Sequence, residues 1–368
     1  MKNIRIILHI DMNAFYASCA AIKEPYLKNK VFAVGGPAGT TQRGVLSTAS
    51  YNARKLGIHS GMVVKEALTI YPKLVIVPTD FNLYKEKSNT FMAVLKSYSN
   101  LIFAGSIDEA YLDITEASNF THLEVIAKTI QDKLYYEHQL PSSIGIAPTL
   151  FLAKMASDYK KPMGITVLRK RDVAKMLYPL AVKDIYGIGK KTSERLKQFN
   201  INTIADFMNP DHQSQILKVL SPRHYQEVKD DLLGNSTNIV NPDKYAIARS
   251  ISNETTLNTD INSYELLLEE LNNQFERSFK RLIKHQLLTR TISIKIKYSD
   301  FRVVSRSLSF FDYTIDKEML KSELENLFSE LYAGENVRLI GAGFSNLIQV
   351  ADYELNYDLF NYQKILDK

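Results

Sequence analysis

The sequence predicts a multidomain α+β protein. Three observations point there. Apolar strand-like runs and amphipathic helical stretches alternate without a fixed repeat up to about residue 166. From about residue 169 the pattern turns helical and local. After an Asn-rich stretch at 235–243, closed by Pro242-Asp243, a β/α order resumes. At 368 residues the chain is long enough for two to four compact units.

Element by element, residues 4–10 are a continuous apolar run, as a central strand buried on both faces requires. Residues 31–34 read as a strand entering the Gly35-Gly36-Pro37 loop, and 44–50 as a strand leading into a helix over 51–56. Residues 74–77 are strand-like between Pro72 and Pro78. A helix over 80–98 places Tyr84, Ser88, Phe91, Met92 and Leu95 on one face. Residues 101–107 and 110–114 form a hairpin whose turn holds Asp108 and Glu109. An amphipathic helix (123–137), a strand (142–146) and a helix (150–157) complete an α/β unit on an antiparallel sheet. Further on, Gly187-Ile188-Gly189 joins two short helices. A helix (263–284), strands (291–298, 303–310), a helix (316–331) and a strand (337–347) predict a small α+β domain. The polar tail, 351–368, contains Tyr357-Asp358-Leu359-Phe360.

Composition narrows the class. Hydrophobic content of 45% and a mean hydropathy of −0.17 describe a soluble globular protein, with no apolar run of 18 residues for a membrane span. The start, Met1-Lys2-Asn3-Ile4-Arg5, lacks the pattern of a signal peptide, so the cytoplasm is the expected compartment. A single cysteine, Cys19, excludes an internal disulfide and any multi-cysteine metal site. The net charge of +6 is unevenly spread: residues 277–306 carry nine Lys/Arg against Asp300, and 308–335 carry seven acids against Lys317 and Lys321. That predicts a module with one basic and one acidic face.

Asp11 ends the first strand, and Asp108-Glu109 sit at a turn about a hundred residues later. Adjacent carboxylates repel, and a divalent cation relieves the repulsion. An all-oxygen donor set suits Mg²⁺ or Mn²⁺. Two such ions can hold the attacking and leaving oxygens of a phosphoryl transfer, so the constellation suggests nucleotidyl transfer. Tyr51 and Arg54, three apart, share a helix face; taken alone they are also an ordinary aromatic–cation pair. Lys295 and Lys297 alternate with Ile294 and Ile296, which gives a strand one cationic and one buried face.

Residues 11–18 (Asp-Met-Asn-Ala-Phe-Tyr-Ala-Ser) and 106–113 (Ser-Ile-Asp-Glu-Ala-Tyr-Leu-Asp) resemble the catalytic signatures of the Y-family, or translesion, DNA polymerases. Further matches follow in register: 47–57, then 144–147 with 151–157, then 161–165. The likeness runs over about residues 4–350 and is nearest the DinB, or DNA polymerase IV, branch. It implies a right-hand architecture with a palm (1–11 and 79–166), fingers (12–78), a helical thumb (167–233), a linker (234–243) and an α+β little finger (244–350).

The resemblance implies roles as well. Asp11 and Asp108 bridge two Mg²⁺ ions, for which Mn²⁺ can substitute; Glu109 completes the catalytic-metal site and the Met12 carbonyl supports the other. Tyr51, Arg54 and Lys161 become triphosphate ligands, with Ser47 and Thr48 as further hydroxyl donors. Tyr16 is the gate that excludes a 2′-OH by steric conflict. Gly187, Gly189 and Lys190 belong to a helix-hairpin-helix on DNA phosphates, and Lys295 and Lys297 meet duplex phosphates from the little finger. Asn356-Tyr357-Asp358-Leu359-Phe360 resembles the bacterial clamp-binding peptide, with Asn for the usual Gln and Leu359 and Phe360 as anchors.

Expected partners are primer-template DNA, dNTPs and a sliding clamp, with no membrane and a monomeric state. The chain departs from the family pattern at Pro148-Thr149-Leu150, where Asn-Lys is usual, and at Asn13, where an acid is common; activity should survive the second. A UmuC-like subunit needing partners and an inactive DNA- and clamp-binding scaffold are the alternatives. The compact length and DinB-like tail speak against the first, and the intact acids against the second. A palm-type nucleotide cyclase explains the acids but not the last domain.

Overall fold

The apolar run near the start becomes β1 (Ile7–Met12), in which Ile7, Leu8, His9 and Ile10 have no solvent exposure. The computed structural model describes residues 4–36, 44–118, 122–243 and 247–353. The chain divides into two units, Met1–Lys244 and Tyr245–Lys368.

In the first unit β1 is followed by β2 (Phe32–Gly35), β3 (Leu46–Ala49), β4 (Val75–Val77), β5 (Ile102–Ala104), β6 (Glu109–Asp113), β7 (Ser142–Ala147) and β8 (Ile165–Val167). Five of these form one sheet in the order β5-β6-β1-β7-β8. Pairing is antiparallel except between β7 and β8, which run parallel. The sheet is therefore mixed where an antiparallel one was expected, because β8 is too short, at three residues, to show a period. Both faces of β1 are covered, which explains its unbroken hydrophobicity. Leu8 and Ile10 share a core with Tyr84, Phe91 and Leu95 of the helix Phe81–Lys96 and Ala127 and Ile130 of Leu123–Asp132. Ile7 faces the opposite core, with Phe151, Leu152 and Met155.

The helix Leu150–Tyr159 is buried from Leu150 to Ser157, and Thr149 caps it by accepting from Leu152 N–H at 3.3 Å. It approaches β7 so closely that a Cβ on Gly145 would lie 2.1 Å from the Ala153 carbonyl oxygen, so only glycine fits. Leu150 is a core residue and its N–H donates to the Thr237 carbonyl at 3.1 Å. Pro148-Thr149-Leu150 thus serves capping and packing. Part of the Asn-rich stretch expected as an interdomain linker packs on the first unit: Thr237 makes that bond, and Val240 is buried in the first unit's core.

A second, three-stranded sheet (β3-β2-β4) has its own core of Leu46, Ala53, Ile58, Met62 and Leu74. Its helix Val64–Ile70 had no clear period in the sequence. The rest of the unit is short helices, including Lys190–Lys197, Ile204–Met208 and Pro222–Leu232, as the local pattern predicted.

The second unit contains β9 (Ser250–Ile261), β10 (Leu287–Tyr298), β11 (Val303–Thr314) and β12 (Val337–Gln349), antiparallel in the order β11-β10-β12-β9. The helices Tyr264–Lys284 and Lys317–Leu331 contribute Leu271, Phe275, Leu324 and Phe328 to a core with Ile292, Ile294 and Ile296. β9 was not expected, since its sequence is polar and only Ile251 and Leu257 are buried, as suits an edge strand. Charge is less segregated than the sequence implied. Arg302 pairs with Glu335, Arg306 with Glu330 and Lys295 with Glu254, so the basic stretch is interleaved with acids.

Candidate active site

The antiparallel register of β1 and β6 sets Asp11 directly opposite Glu109. Met12 N–H donates to the Asp108 carbonyl at 2.9 Å, which ties the adjoining turn to the end of β1. Glu109 opens β6 instead of lying in the turn as expected; Asp108 remains in it. The Ser106 hydroxyl donates to Asp108 Oδ1 at 2.5 Å. Asn13 anchors the far end of β1: its Nδ2 donates to Ser143 Oγ at 2.9 Å and its Oδ1 accepts from Met163 N–H at 2.8 Å. An acid could not supply the donor, so Asn13 has a structural task here.

Two lysines reach the acids. Lys154 Nζ lies 3.0 Å from Asp11 Oδ2 and 2.8 Å from Glu109 Oε2. Lys161 Nζ lies 2.8 Å from Asp11 Oδ2 and 2.6 Å from Asp158 Oδ1. Burial opposes charge on both lysines, but Asp11 and Asp158 outweigh it and raise their pKa values. His9 lies beneath, fully buried, with Nδ1 2.7 Å from Ser157 Oγ and Nε2 3.5 Å from Glu109 Oε2. Burial lowers the His9 pKa, so the ring is neutral near pH 7. His9 and then Lys154 hold Glu109 down at about 2 against its own burial. The 3.5 Å His9 contact is long for a hydrogen bond, so the shorter Lys154 contact is the firmer of the two. Asp108 moves the other way: burial, with Asp11 and Glu109 adding repulsion, raises its pKa.

Each acid therefore gives one oxygen to the protein and keeps another. Among the described residues Asp11 Oδ1, Asp108 Oδ2 and Glu109 Oε1 have no hydrogen-bond or ion-pair partner. The three share one end of the sheet without closing on a point: among the described residues no three His, Cys, Asp or Glu side chains are gathered to hold a cation. The donor chemistry nevertheless fits a hard divalent ion, with hard oxygens, mutual repulsion at Asp108 and an affinity for cations already satisfied by two ammonium groups.

The nucleotide-contact candidates lie close by. Tyr51 opens a short helix (Tyr51–Arg54) whose N-cap is Ser50. The Arg54 guanidinium packs over the Tyr51 ring at 5.1 Å, and it donates to the Ala49 carbonyl at 3.0 Å and Thr48 Oγ1 at 3.1 Å. The Tyr51 pKa is raised by burial, and it feels the charges of Arg54, Lys161 and Asp11, so it belongs to the same neighbourhood. Ser47 is half-buried next to Thr48 on β3, and its carbonyl accepts from Ser60 Oγ at 2.7 Å. Tyr16 stacks on Tyr84 at 4.2 Å, and burial followed by the charge of Asp108 raises its pKa.

Other candidates stand apart. Gly187, with φ of 94°, makes the turn before Gly189, the N-cap of Lys190–Lys197, and no atom lies within 4 Å of where a Cβ would sit on either glycine. Lys190 is highly exposed. Lys295 and Lys297 are on the second unit's sheet, on the face opposite the buried Ile294 and Ile296. Leu359 and Phe360 lie outside the described residues. From the sequence, Lys154, His9, Asp158 and Tyr84 carried no site role, although Lys154 lies in the family-like block 151–157; the i, i+4 spacing of Lys154 and Asp158 was a further signal.

Comparison with known proteins matches three family models. They are the impB/mucB/samB family over residues 10–158, its HHH motif over 170–201 and its C-terminal domain over 248–357. The chain is 36% identical over 364 residues to DNA polymerase IV of Bacillus velezensis, covering 98% of this chain and 86% of that protein. It is equally 36% identical over 362 residues to DNA polymerase IV 1 of Bacillus subtilis, with the same 98% and 86% coverage. Among solved structures, the Y-family DNA polymerase chimera Dbh-Dpo4(243-245)-Dbh is similar with a TM-score of 0.82 and 25% identity, over 94% of this chain and 99% of that one. An insertion ternary complex of Dbh DNA polymerase matches with a TM-score of 0.66 and 26% identity, over 94% and 99% of the two chains.

Proposed function

The chain belongs to the impB/mucB/samB family and, among the Y-family DNA polymerases, to the DNA polymerase IV branch, and we propose that Asp11, Asp108 and Glu109 are its catalytic acids. It is a DNA-directed DNA polymerase of the low-fidelity, translesion kind, and it binds primer-template DNA and deoxynucleoside triphosphates. A primer 3′-hydroxyl attacks the α-phosphate of the nucleotide, and pyrophosphate leaves. The observation that carries the acid assignment is the free oxygen on each of the three carboxylates at one sheet end.

Divalent-metal dependence comes with the family. Asp11, Asp108, Glu109 and the Met12 carbonyl are the groups that would hold two ions, Mg²⁺ or alternatively Mn²⁺. When bound, these supply charge neutralisation at the attacking and leaving oxygens. The chain's own residues do the rest. Arg54 offers a planar fork to the triphosphate, and Tyr51 offers a hydroxyl; Ser47 and Thr48 are nearby hydroxyl donors. Lys161 exchanges Asp11 for phosphate while Asp158 keeps hold of it. Tyr16 closes the space beside the sugar. Gly187, Gly189, Lys190, Lys295 and Lys297 contact DNA phosphates.

The division proposed is palm (1–11, 79–166), fingers (12–78), thumb (167–233), linker (234–243) and little finger (244–350). A monomer in the cytoplasm, tethered to a sliding clamp through 351–368, completes the reading. Among the described residues no helix is long and apolar enough to cross a membrane.

The test is primer extension by the purified chain with and without Mg²⁺, on intact and lesion-bearing templates. Extension by the chain alone separates this reading from a subunit that needs partners. Asp108→Asn should abolish single-turnover incorporation and leave DNA affinity nearly intact, since most affinity lies in phosphate contacts elsewhere. Incorporation near the wild-type rate in that variant would overturn the acid assignment.

A further inference from the structure

Lys154 is neither one of the proposed metal ligands nor one of the proposed nucleotide contacts. It projects from the helix Leu150–Tyr159, which Gly145 allows to lie hard against β7. The residue is 9% exposed, yet its ammonium meets three carboxylates: Glu109 at 2.8 Å, Asp11 at 3.0 Å and Asp158 at 3.6 Å. An ammonium has three donors and no acceptor; two of them are met by hydrogen bonds to Asp11 and Glu109, and Asp158 adds a longer ionic contact. A lysine buried that deeply without partners would be costly; here the acids it pairs are themselves the proposed metal ligands.

Three consequences follow from the geometry. The fixed cation cancels repulsion between Asp11 and Glu109, which the β1–β6 register places opposite each other. It also occupies one oxygen of each, so Oδ1 and Oε1 are the atoms left for a ligand. The same charge repels any divalent cation held by those atoms. Asp158 moderates this, because it shares both Lys154 and Lys161.

We infer that Lys154 is a positioning residue, a built-in counter-ion that holds Asp11 and Glu109 in place and weakens the site's grip on a free divalent cation until nucleotide phosphates add their own oxygens. The inference rests on the metal-ligand role of the acids proposed above. Nucleotide and metal would then load together, and a cation alone would bind poorly.

The experiment is Mn²⁺ binding to the full chain without DNA or nucleotide, read by electron paramagnetic resonance, with thermal melting in EDTA and in Mn²⁺. Lys154→Met keeps the stem and removes the charge. It should bind Mn²⁺ at least about tenfold more tightly, because a unit charge next to the site is lost at low effective dielectric. It should also melt lower in EDTA and regain stability on Mn²⁺ by more than wild type does. Lys154→Arg keeps the charge and should restore wild-type affinity. Asp158→Asn, at a more exposed position, should weaken Mn²⁺ binding several-fold, since Lys154 then acts on the ligands undiluted; this variant serves if Lys154→Met does not fold. Unchanged or weaker Mn²⁺ binding by folded Lys154→Met, or unchanged binding by Asp158→Asn, overturns the inference. Asp108→Asn is the control for the underlying reading: if it binds Mn²⁺ as wild type does, the acid assignment itself fails.

Discussion

Tyr16 is supported from behind. Tyr84 stacks on it with ring centroids 4.2 Å apart, and Phe81 meets it edge-on at 6.1 Å. An aromatic ring braced on two sides cannot swing away from a crowding substituent, which is what discrimination by exclusion needs. Tyr16→Ala should shift the preference for a dNTP over its matching rNTP towards the ribonucleotide by roughly ten- to a hundredfold. Incorporation efficiencies for the pair are the measurement. An unmoved ratio, with a lowered melting temperature from the lost stack, makes Tyr16 a core residue. The paired acids stood out by their mutual repulsion, whereas the roles expected of Tyr16, Tyr51 and Arg54 came from the family resemblance and not from spacing. Lys154 lies inside the family-like block 151–157 but received no role, because nothing local shows that its helix is buried from Leu150 to Ser157 and carries its ammonium to the acids. Asn13 likewise reads as a departure until its two opposite hydrogen bonds are seen.

At the scale of elements, β10 shows both the strength and the limit of periodicity. Ile292, Ile294 and Ile296 are buried and Lys295 and Lys297 are not, as a two-residue period demands. What alternation could not show is which neighbours the lysines would meet. Lys295 Nζ is 2.7 Å from Glu254 on β9, an edge strand too polar to be recognised, and Lys297 lies over the Phe301 ring at 4.6 Å. Such partners compete with phosphate. Neutralising both lysines should weaken DNA binding by a similar factor on all sequences. It should also flatten the slope of log affinity against log salt by about one to two, below the full counterion count if Glu254 already screens Lys295. An unchanged slope means that this face does not meet the backbone. Glu254→Gln gives the converse: tighter binding, with a steeper slope.

At the scale of the whole chain, the first unit assembles its chemistry from distant segments. Asp11, Tyr51, Asp108 and Lys161 belong to four stretches that the sheet order β5-β6-β1-β7-β8 and the neighbouring small sheet bring together. That order was not readable from pattern alone, since strand existence is local and strand pairing is not. Tyr353 is the last described residue of the second unit. Its hydroxyl donates to Asp312 Oδ2 at 2.5 Å, and its ring meets Tyr313 edge-on at 5.8 Å. Burial and the Asp312 carboxylate push its pKa up to about 12, so the donor stays protonated throughout the working range. A truncation that tests the tail must therefore spare Tyr353. Deleting 354–368 should leave distributive extension unchanged and remove stimulation by a loaded sliding clamp. Leu359→Ala with Phe360→Ala should reproduce the deletion, because a short peptide draws most of its binding energy from a few apolar anchors. A tether of this kind would multiply local concentration without adding contacts at the active site, so only the clamp-dependent length of product should change. Product length with and without clamp is the measurement, and equal stimulation of wild type and the double variant places any clamp contact elsewhere.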